Sequence, residues 1–316
     1  MLMSAPRIVS LLPAATEMVC ALGATADLVG ISHECDFPEA VRGLPVLTSS
    51  RVGNALSSRA IDSAVRAVVD NALSIYTVDE SRLAELAPDL IVTQDLCEVC
   101  AVSLDDVRSA VARLAHRADV RIVSLRPTQL SHVLADLETV AAALGRAGEG
   151  QLLRRELEAR IDLIATRARQ ARHRPRVVSV EWLEPVMLGG TWMPELIALA
   201  GGQAVGVAPG AAAPTVTHAE LARLEPEVVV VKPCGFDLTR TLREPELIAV
   251  LLGAAGASAR AYATDGNAFF NRPGPRLVES LEILAACIHP ELFLDFAQKH
   301  RAVLMPLGRG SREPVA

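Results

Sequence analysis

Four cysteines follow apolar, strand-like runs of the sequence and could supply thiolate ligands to one site. Cys35 lies in SHECDFP, Cys97 and Cys100 lie in TQDLCEVC, and Cys234 lies in KPCGF. In open α/β sheets, the loops beyond the carboxyl ends of the strands line the ligand crevice. These loops, which are distant in sequence, are therefore predicted to bring soft sulfur ligands together in one cleft.

Three kinds of chemistry are open to these cysteines. Cys97 and Cys100 form a C-x-x-C pair, whose spacing lets two thiolates reach one metal ion from a single turn. Tetrahedral sulfur coordination favours zinc or an iron–sulfur cluster. The alternatives are redox thiol chemistry and loop cysteines that hold no ligand. We predict that Cys35, Cys97, Cys100 and Cys234 are metal or cluster ligands.

A second set of residues has side chains suited to a flat, metal-containing cofactor. The imidazole of His33, beside Cys35, could be the lower axial ligand of a corrinoid cobalt or of a haem iron. Trp182 and Trp192 are the only two tryptophans and fall in loops of the second half of the chain. A large indole suits the face of a macrocycle, and ordinary loop packing is the alternative. Phe270 extends the same predicted wall.

Two arginines complete the predicted cofactor site. Arg272 and Arg276 bracket the start of the last predicted helix, where unpaired backbone N–H groups favour an anion. They could hold a propionate or a phosphate, or they could form structural salt bridges. No catalytic residue is identified, since the sequence has no Ser-His-Asp order, no P-loop and no GxGxxG fingerprint.

Short β-branched runs alternate with helical patterns and must position these loops. RIVSLLP, DLVGIS, DLIVTQD and VRIVSLRP are strand-like, and a second alternating set begins with RPRVVSVEWL and includes PEVVVVKPCGF. This alternation is typical of βαβ units in a parallel sheet.

Between the two sets lies a stretch rich in leucine, alanine and charged residues. It predicts one long helix or a helical pair, weakened at Gly145. We therefore predict the α/β class, with two Rossmann-like lobes joined by a long backbone helix and a ligand cleft between the lobes. The predicted boundaries are 1–127 for the amino-terminal lobe, 128–173 for the linking helix and 174–316 for the carboxyl-terminal lobe.

The composition excludes several classes of partner. A net charge of −6 and the lack of any basic run leave no patch for nucleic acid. No stretch reaches the ~20 apolar residues that a membrane span needs. The start, MLMSAPRIVSLLPAATE, lacks the basic region, the apolar stretch and the cleavage site of a secretory signal. We therefore expect a cytoplasmic protein with no nucleic-acid partner and no membrane span.

Most of the chain resembles one family. The segment RIVSLLPAATEMVCALGATADLVGISHECDFP is similar to the start of the class III periplasmic substrate-binding proteins, which capture cobalamin, haem and iron–siderophores for ABC importers. The similarity continues through the strand at 88–91, the long helical stretch and FFNRPGPRLVESLEIL. The His-Glu-Cys-Asp, Asp-Leu-Cys-Glu-Val-Cys and Pro-Cys-Gly-Phe segments resemble those of cobalamin-binding members. The resemblance implies a ligand held between two lobes that are braced by a helix.

Two functions follow from these observations. The first is binding of a corrinoid (cobalamin-like) or other metal-containing cofactor in the inter-lobe cleft. The alternative is a cytosolic zinc or iron–sulfur cluster protein, which would be an enzyme if its metal keeps an open coordination position. Binding is favoured, and the expected partner is a small-molecule or metal-cofactor ligand. Because importer-serving relatives are exported or lipid-anchored, an ABC importer partner is doubtful.

Overall fold

Parallel strands with helices between them form the framework of this protein, which is described here from a computed structural model. The structure describes residues 6–52, 56–70, 75–94, 108 and 120–308, with the backbone alone for 68–70. The chain divides into two compact units. The amino-terminal unit comprises Met1–Leu56, Ala60–Pro127 and Ser131–Leu157, and the carboxyl-terminal unit comprises Ser57–Arg59, Thr128–Leu130 and Glu158–Ala316.

The first half of the chain alternates strands and helices. The described strands there are β1 (Ile8–Ser10), β2 (Leu28–Ile31), β3 (Thr48–Ser50), β4 (Tyr76–Val78), β5 (Leu90–Gln94) and β6 (Arg121–Leu125). The described helices are α1 (Pro13–Ala21), α2 (Ser58–Asp70), α3 (Glu80–Leu86), α4 (Leu130–Ala143) and α5 (Ala147–Ala168).

The amino-terminal unit is built on a four-stranded parallel sheet with the order β2-β1-β5-β6. Strands β1 and β5 lie inside this sheet and are buried along their whole length, as expected for parallel strands covered on both faces. Strands β3 and β4 form a separate antiparallel pair. Because the four strands are parallel, the residues that follow them lie along one edge of the sheet.

The helical stretch after β6 is a pair of helices. Gly145, in the break between α4 and α5, has a φ of +72°, a left-handed conformation that glycine adopts without steric cost. Its N–H donates to the carbonyl oxygen of Ala142 at 3.1 Å and ends the turn. The residues of α5 up to Leu157 belong to the amino-terminal unit, and those from Glu158 onward belong to the carboxyl-terminal unit. Among the described residues, no helix is both long enough and apolar enough to span a membrane.

The second half repeats the alternation. Its strands are β7 (Arg176–Trp182), β8 (Met187–Leu188), β9 (Gln203–Ala204), β10 (Val228–Val231), β11 (Arg260–Thr264) and β12 (Leu304–Leu307). Its helices are α6 (Met193–Leu199), α7 (His218–Arg223), α8 (Leu238–Thr241), α9 (Pro245–Ala255), α10 (Leu277–Ile288) and α11 (Leu294–Lys299).

The sheet of the carboxyl-terminal unit has the order β12-β11-β10-β7-β8, and β9 also pairs with β7. Strands β7, β10 and β11 are parallel, whereas β8 and β12 are antiparallel additions. The four valines of β10 have no exposed surface, which fits the central position of this strand. The predicted α/β class, with parallel sheets and helices in two units, is confirmed.

A buried carboxylate joins three helical segments of the carboxyl-terminal unit. Glu282 of α10 accepts hydrogen bonds from His300 at 2.7 Å, from Lys299 at 2.6 Å and from Arg160 of α5 at 3.0 Å. Burial alone would raise the pKa of Glu282, but these donors outweigh it and lower the pKa from 4.5 to about 2. The carboxylate is therefore ionised and stabilises the packing of α5 and α11 on α10.

We expect Glu282→Gln to lower the free energy of unfolding by about 3 kcal/mol at pH 7, since it leaves the facing cations without their buried anion. Because folding lowers the pKa of Glu282, its ionised carboxylate stabilises the folded protein fully above pH 4.5. This stabilisation is lost as the pH falls toward 2. Urea unfolding at pH 7 and pH 3 should show the wild-type advantage shrinking by more than half. Glu279→Gln is the control, because Glu279 contacts only Arg160 of this group and is partly exposed. Equal effects of the two substitutions would contradict the stabilising role of the ionised Glu282.

Candidate functional site

The loop after β2 and the start of α1 enclose a small polar cluster in the amino-terminal unit. The Thr16 hydroxyl lies 2.8 Å from the Ser10 hydroxyl and 3.0 Å from the Cys35 sulfur. All three side chains are buried. The Ser10 hydroxyl also donates to the Leu12 carbonyl at 3.1 Å. The structure thus places Cys35 at the carboxyl end of the sheet, inside a hydrogen-bonded cluster.

His33 is fixed by a second group of hydroxyls on the same loop. Its backbone N–H donates to Thr48 Oγ1 at 3.0 Å, and its ring Nδ1 lies 2.7 Å from the same oxygen. The Thr48 hydroxyl donates in turn to Ser32 Oγ at 3.0 Å. Because Thr48 uses its one proton on Ser32, Nδ1 of His33 must be the donor to Thr48. This arrangement assigns the proton of the neutral ring to Nδ1.

The other ring nitrogen of His33 therefore carries a lone pair. Nε2 is buried and has no hydrogen-bond partner among the described residues. Burial lowers the pKa of His33, and the nearby Glu34 opposes this shift only in part. A neutral imidazole with one proton fixed on Nδ1 is the form that coordinates a metal through Nε2. Because Nε2 is covered, coordination requires a local rearrangement of the side chains around it.

The other predicted sulfur ligands have different settings. Cys234 is exposed in the loop after β10, where its N–H donates to the Glu181 carbonyl at 3.0 Å. Cys97 and Cys100 lie outside the described residues. Within the described parts of the chain, no three His, Cys, Asp or Glu side chains are grouped so that they could hold a metal ion. The four-cysteine site stays a prediction.

A buried lysine organises the carboxyl end of the second sheet. Lys232 directly follows β10 and its side chain has no exposed surface. Its Nζ donates to Glu181 Oε2 at 3.1 Å and to Asn271 Oδ1 at 2.8 Å. Glu181 belongs to the neighbouring strand β7, one residue beyond the Val180–Val231 pair. The parallel register thus brings the ammonium group and the carboxylate together at one edge of the sheet.

The loop after β11 lies directly on this lysine. The Asn271 side-chain amide donates to the Gly266 carbonyl at 2.8 Å and to the Lys232 carbonyl at 3.3 Å. A Cβ atom on Gly266 would overlap the carbonyl oxygens of Pro233 and Lys232. Only a glycine therefore allows the loop to approach the end of β10 so closely. The loop and the buried lysine form one hydrogen-bonded unit.

Trp192 and Phe270 lie in the core of the carboxyl-terminal unit. Trp192 is 4% exposed and Phe270 is fully buried. The indole N–H of Trp192 donates to the Phe270 carbonyl at 2.8 Å, and the Phe270 N–H donates to Ser280 Oγ at 2.9 Å. These bonds hold Phe270 at a φ of +65°, a conformation rare for aromatic residues. Both rings fix the loop after β11, and neither presents an open face.

Trp182 has the more accessible ring. It is partly buried at the end of β7 and packs against Phe236 with ring centroids 5.1 Å apart. The Arg240 guanidinium lies 4.0 Å from the centre of the Phe236 ring, within the range of cation–π attraction. The Trp182 Nε1 is buried and has no partner among the described residues. The two rings form an aromatic pair at the carboxyl edge of the sheet.

A carboxylate, Glu244, holds the Arg240 guanidinium that lies over the Phe236 ring. Glu244 accepts hydrogen bonds from Arg240 at 2.8 Å and from the Ser58 backbone N–H at 2.8 Å, and from the Ser58 hydroxyl. Burial alone would raise the pKa of Glu244, but the bonds from Ser58 and Arg240 outweigh it and lower the pKa. The ionised Glu244 therefore fixes Arg240 over Phe236.

The two predicted anion-binding arginines are both engaged with neighbours. Arg272 is 7% exposed, and its guanidinium donates to Asn267 Oδ1 at 3.1 Å. Arg276 is the residue that precedes α10, and its guanidinium lies 5.4 Å from the centre of the Phe269 ring. Both lie near the carboxyl edge of the second sheet, and their role in anion binding stays a prediction.

Sequence reasoning missed the polar partners of these residues. Lys232, Glu181 and Asn271 were not singled out, nor were Thr48 and Ser32. One signal was available: a lysine that directly follows four valines continues a buried strand and needs a buried counterion. No comparable signal marks Thr48, because its contact with His33 depends on the position of β3.

The protein has two α/β units, and polar and aromatic loops follow the parallel strands of each. This architecture is typical of a ligand-binding protein. The chain belongs to the periplasmic binding protein family, whose model matches residues 8–251. The resemblance to class III members that the sequence indicates is confirmed for family and fold. No curated protein matches the sequence.

Solved structures share this fold at low sequence identity. A periplasmic haem-binding protein from Pseudomonas aeruginosa has 19% identity and a TM-score of 0.68, with 90% of this chain and 93% of that chain covered. The periplasmic vitamin B12-binding protein BtuF of Vibrio cholerae has 19% identity and a TM-score of 0.62, with 93% and 98% covered. An ABC transporter substrate-binding protein from Listeria monocytogenes EGD-e has 16% identity and a TM-score of 0.62, with 90% and 99% covered.

We expect Gly266→Ala to lower the free energy of unfolding by about 2 kcal/mol, because the added methyl group pushes the loop off the end of β10. Gly253→Ala is the matched control, since Gly253 lies exposed in α9 with no atom within 4 Å of an added Cβ. Alanine there should raise the free energy of unfolding by about 0.5 kcal/mol. Thermal and urea unfolding of both variants measure the difference. If Gly266→Ala left the free energy of unfolding unchanged, the loop after β11 could move away from β10 at no energetic cost.

Proposed function

We propose that this protein binds a corrinoid or other metal-containing tetrapyrrole cofactor, and that His33 supplies a nitrogen ligand to the metal. The observation that carries the proposal is the buried Nε2 of His33, which has no hydrogen-bond partner among the described residues. An unsatisfied buried acceptor costs free energy, and a metal ion is one partner that would satisfy it. Cobalt and iron are both metals that imidazole binds well.

The proton on Nδ1 supports this role. Thr48 accepts the Nδ1–H bond at 2.7 Å and is itself fixed by Ser32. A hydrogen bond of this kind orients a metal-binding imidazole and makes its other nitrogen a better ligand. The neutral state that burial imposes on His33 also removes competition between metal and proton near pH 7.

Trp182 supports a flat ligand. Its indole is the more accessible of the two, and Phe236 and Arg240 restrict its orientation. A rigid aromatic face contributes apolar area at little entropic cost. Trp192 and Phe270, which are buried, support the site by holding the loop after β11.

The solved structures with this fold agree with such a ligand class. One is a haem-binding protein and another binds vitamin B12. Both ligands are planar macrocycles around a metal ion. The fold shared with an ABC transporter substrate-binding protein supports delivery of the ligand to a transporter, against the expectation that an importer partner is doubtful. The cytoplasmic location stays a prediction.

His33→Ala tests the proposed ligand. Titration of the purified protein with aquocobalamin and with haemin, followed by visible absorption, should give a spectral shift for the preferred ligand. We expect His33→Ala to weaken that binding about tenfold or more and to abolish the spectrum of nitrogen coordination, because the metal loses its protein ligand.

His218→Ala is the control for this experiment, since His218 is an exposed histidine at the start of α7. It should bind as the wild type does. Unchanged spectra and affinity for His33→Ala would remove His33 from the site. A wild-type protein that binds neither macrocycle would overturn the proposed ligand class.

The cysteine site is the second candidate function. The observation in its favour is that Cys35 and Cys234 lie in loops at the carboxyl ends of β2 and β10, as the sequence predicted. With Cys97 and Cys100 they would offer four thiolates to zinc or to an iron–sulfur cluster. A protein that only binds a corrinoid has no evident need for these thiols.

Anaerobic purification and elemental analysis test the cysteine site. Stoichiometric zinc, or iron with broad absorption at ~400 nm, should disappear in Cys97→Ser, because the metal loses a thiolate. Cys20→Ser is the control, since Cys20 lies in α1, outside the proposed ligand set. Metal content that survives Cys97→Ser would eliminate this candidate, as would a metal-free wild type.

A further inference from the structure

The ring of Tyr76 packs against the ring of His33. The two ring centroids lie 5.4 Å apart and the ring planes are inclined by 47°, which places the rings in contact. Tyr76 lies in β4 opposite Ser50, and Thr48 is two residues before Ser50 in β3. Residues two apart on a strand share a face. One face of the β3–β4 pair therefore supplies the hydroxyl that binds Nδ1 and the aromatic ring that lies against the imidazole.

A hydrogen bond holds the Tyr76 ring in this position. The Tyr76 hydroxyl donates to Glu34 Oε1 at 3.1 Å, and Glu34 directly follows His33 in the loop after β2. The ring also packs against the hydrophobic cluster that contains Leu47 and Leu83. Its place beside His33 is thus fixed by apolar packing and by a carboxylate at its hydroxyl.

The two ring nitrogens of His33 have different surroundings. Nδ1 lies 2.7 Å from Thr48 Oγ1. Nε2 is buried, although His33 as a whole is only partly buried. A neighbouring group must therefore lie over this nitrogen while part of the residue stays exposed. The Tyr76 ring contacts the imidazole and is large enough to be that group.

We propose that the Tyr76 ring is a gate that covers Nε2 of His33, and that its hydrogen bond to Glu34 keeps the gate closed. A metal-bearing ligand then coordinates His33 only after the ring turns away. This inference rests on the proposed function and adds the step that admits the ligand. Because Tyr76 is partly exposed, its ring can turn toward solvent without taking a fully buried side chain out of the core. The closed form predominates because opening breaks a hydrogen bond to a carboxylate.

The reactivity of His33 toward diethyl pyrocarbonate tests this gate without any ligand. The reagent acylates a neutral imidazole at the nitrogen that carries a lone pair, which in His33 is Nε2. Burial keeps the ring neutral by lowering the pKa of His33. Timed exposure followed by peptide mass spectrometry gives the rate for each histidine. Wild-type His33 should react at least about tenfold more slowly than the exposed His218 in the same sample.

Tyr76→Phe should raise the rate at His33 about fivefold, because it keeps the ring and removes the hydrogen bond. Tyr76→Ala removes the cover itself and should raise the rate further. If Tyr76→Ala does not fold, Tyr76→Phe, which keeps the packing of the ring, decides the outcome. Tyr262→Phe is the matched control, since Tyr262 is the other tyrosine of the sequence and lies in β11 of the carboxyl-terminal unit. It should leave the rate at His33 unchanged.

Cys35 distinguishes a moving ring from a moving loop. It lies two residues after His33 and is buried, with its sulfur 3.0 Å from the Thr16 hydroxyl. Alkylation of Cys35 by iodoacetamide therefore reports opening of the whole loop after β2. Tyr76→Phe should leave this alkylation rate unchanged while His33 reacts faster. An equal rise at both residues would show that the loop opens as a unit and would overturn the gate.

The same gate should control the rate of ligand binding. Stopped-flow mixing uses aquocobalamin or haemin, whichever the wild type binds. Tyr76→Phe should raise the association rate constant by about the factor by which it raises the reactivity of His33, since the ligand reacts only with the open form. An association rate that does not change, although His33 is modified faster, would overturn the role of Tyr76 in admitting the ligand.

Failure of this inference and failure of the proposed function give different results. If His33 reacts as fast in the wild type as in Tyr76→Phe and Tyr76→Ala, Tyr76 does not cover Nε2 and the inference is overturned, whichever ligand binds. If both substitutions expose His33 but the protein binds neither macrocycle, the cover is established and the proposed ligand class alone is overturned.

Discussion

A buried ammonium group must be matched by acceptors, and this requirement at Lys232 organises the carboxyl-terminal unit. The Lys232 ammonium group lies where β10 ends, beside β7. The parallel register of the two strands therefore determines which carboxylate can pair with it. Asn271 provides the second acceptor and brings the loop after β11 with it. Gly266 allows that loop to lie on the strand end, and Trp192 and Ser280 hold the loop from the other side. One charge therefore determines the shape of a whole loop.

In the amino-terminal unit, hydroxyl groups take the place of a charge and satisfy the backbone N–H and the ring Nδ1 of His33. Thr48 accepts two hydrogen bonds from His33 and donates one to Ser32. The direction of this chain decides which ring nitrogen keeps a lone pair. The candidate binding atom, Nε2 of His33, is the member of this network that is left without a hydrogen bond among the described residues.

The sequence predicted the fold class because alternating β-branched runs and helical patterns are local features. It also predicted that Cys35 and Cys234 lie in loops after strands, since these loops directly follow β2 and β10. It could not predict how Trp192 and Phe270 are used, because their burial depends on the left-handed backbone at Phe270. Nor could it predict Thr48 beside His33, which requires the placement of a strand 15 residues away. Partners across strands are set by register, and register is not a local property.

Three residues from the first fifth of the chain are part of the carboxyl-terminal unit. Ser57–Arg59 belong to it, and Ser58 is bonded to Glu244, 186 residues further along. A fragment that begins at residue 158 would lack these residues, and the buried carboxylate of Glu244 would lose its hydroxyl and amide donors. During synthesis, the same bond cannot form until almost four-fifths of the chain has been made. The two units are thus interleaved in sequence, and folding of the second depends on a segment that leaves the ribosome long before it.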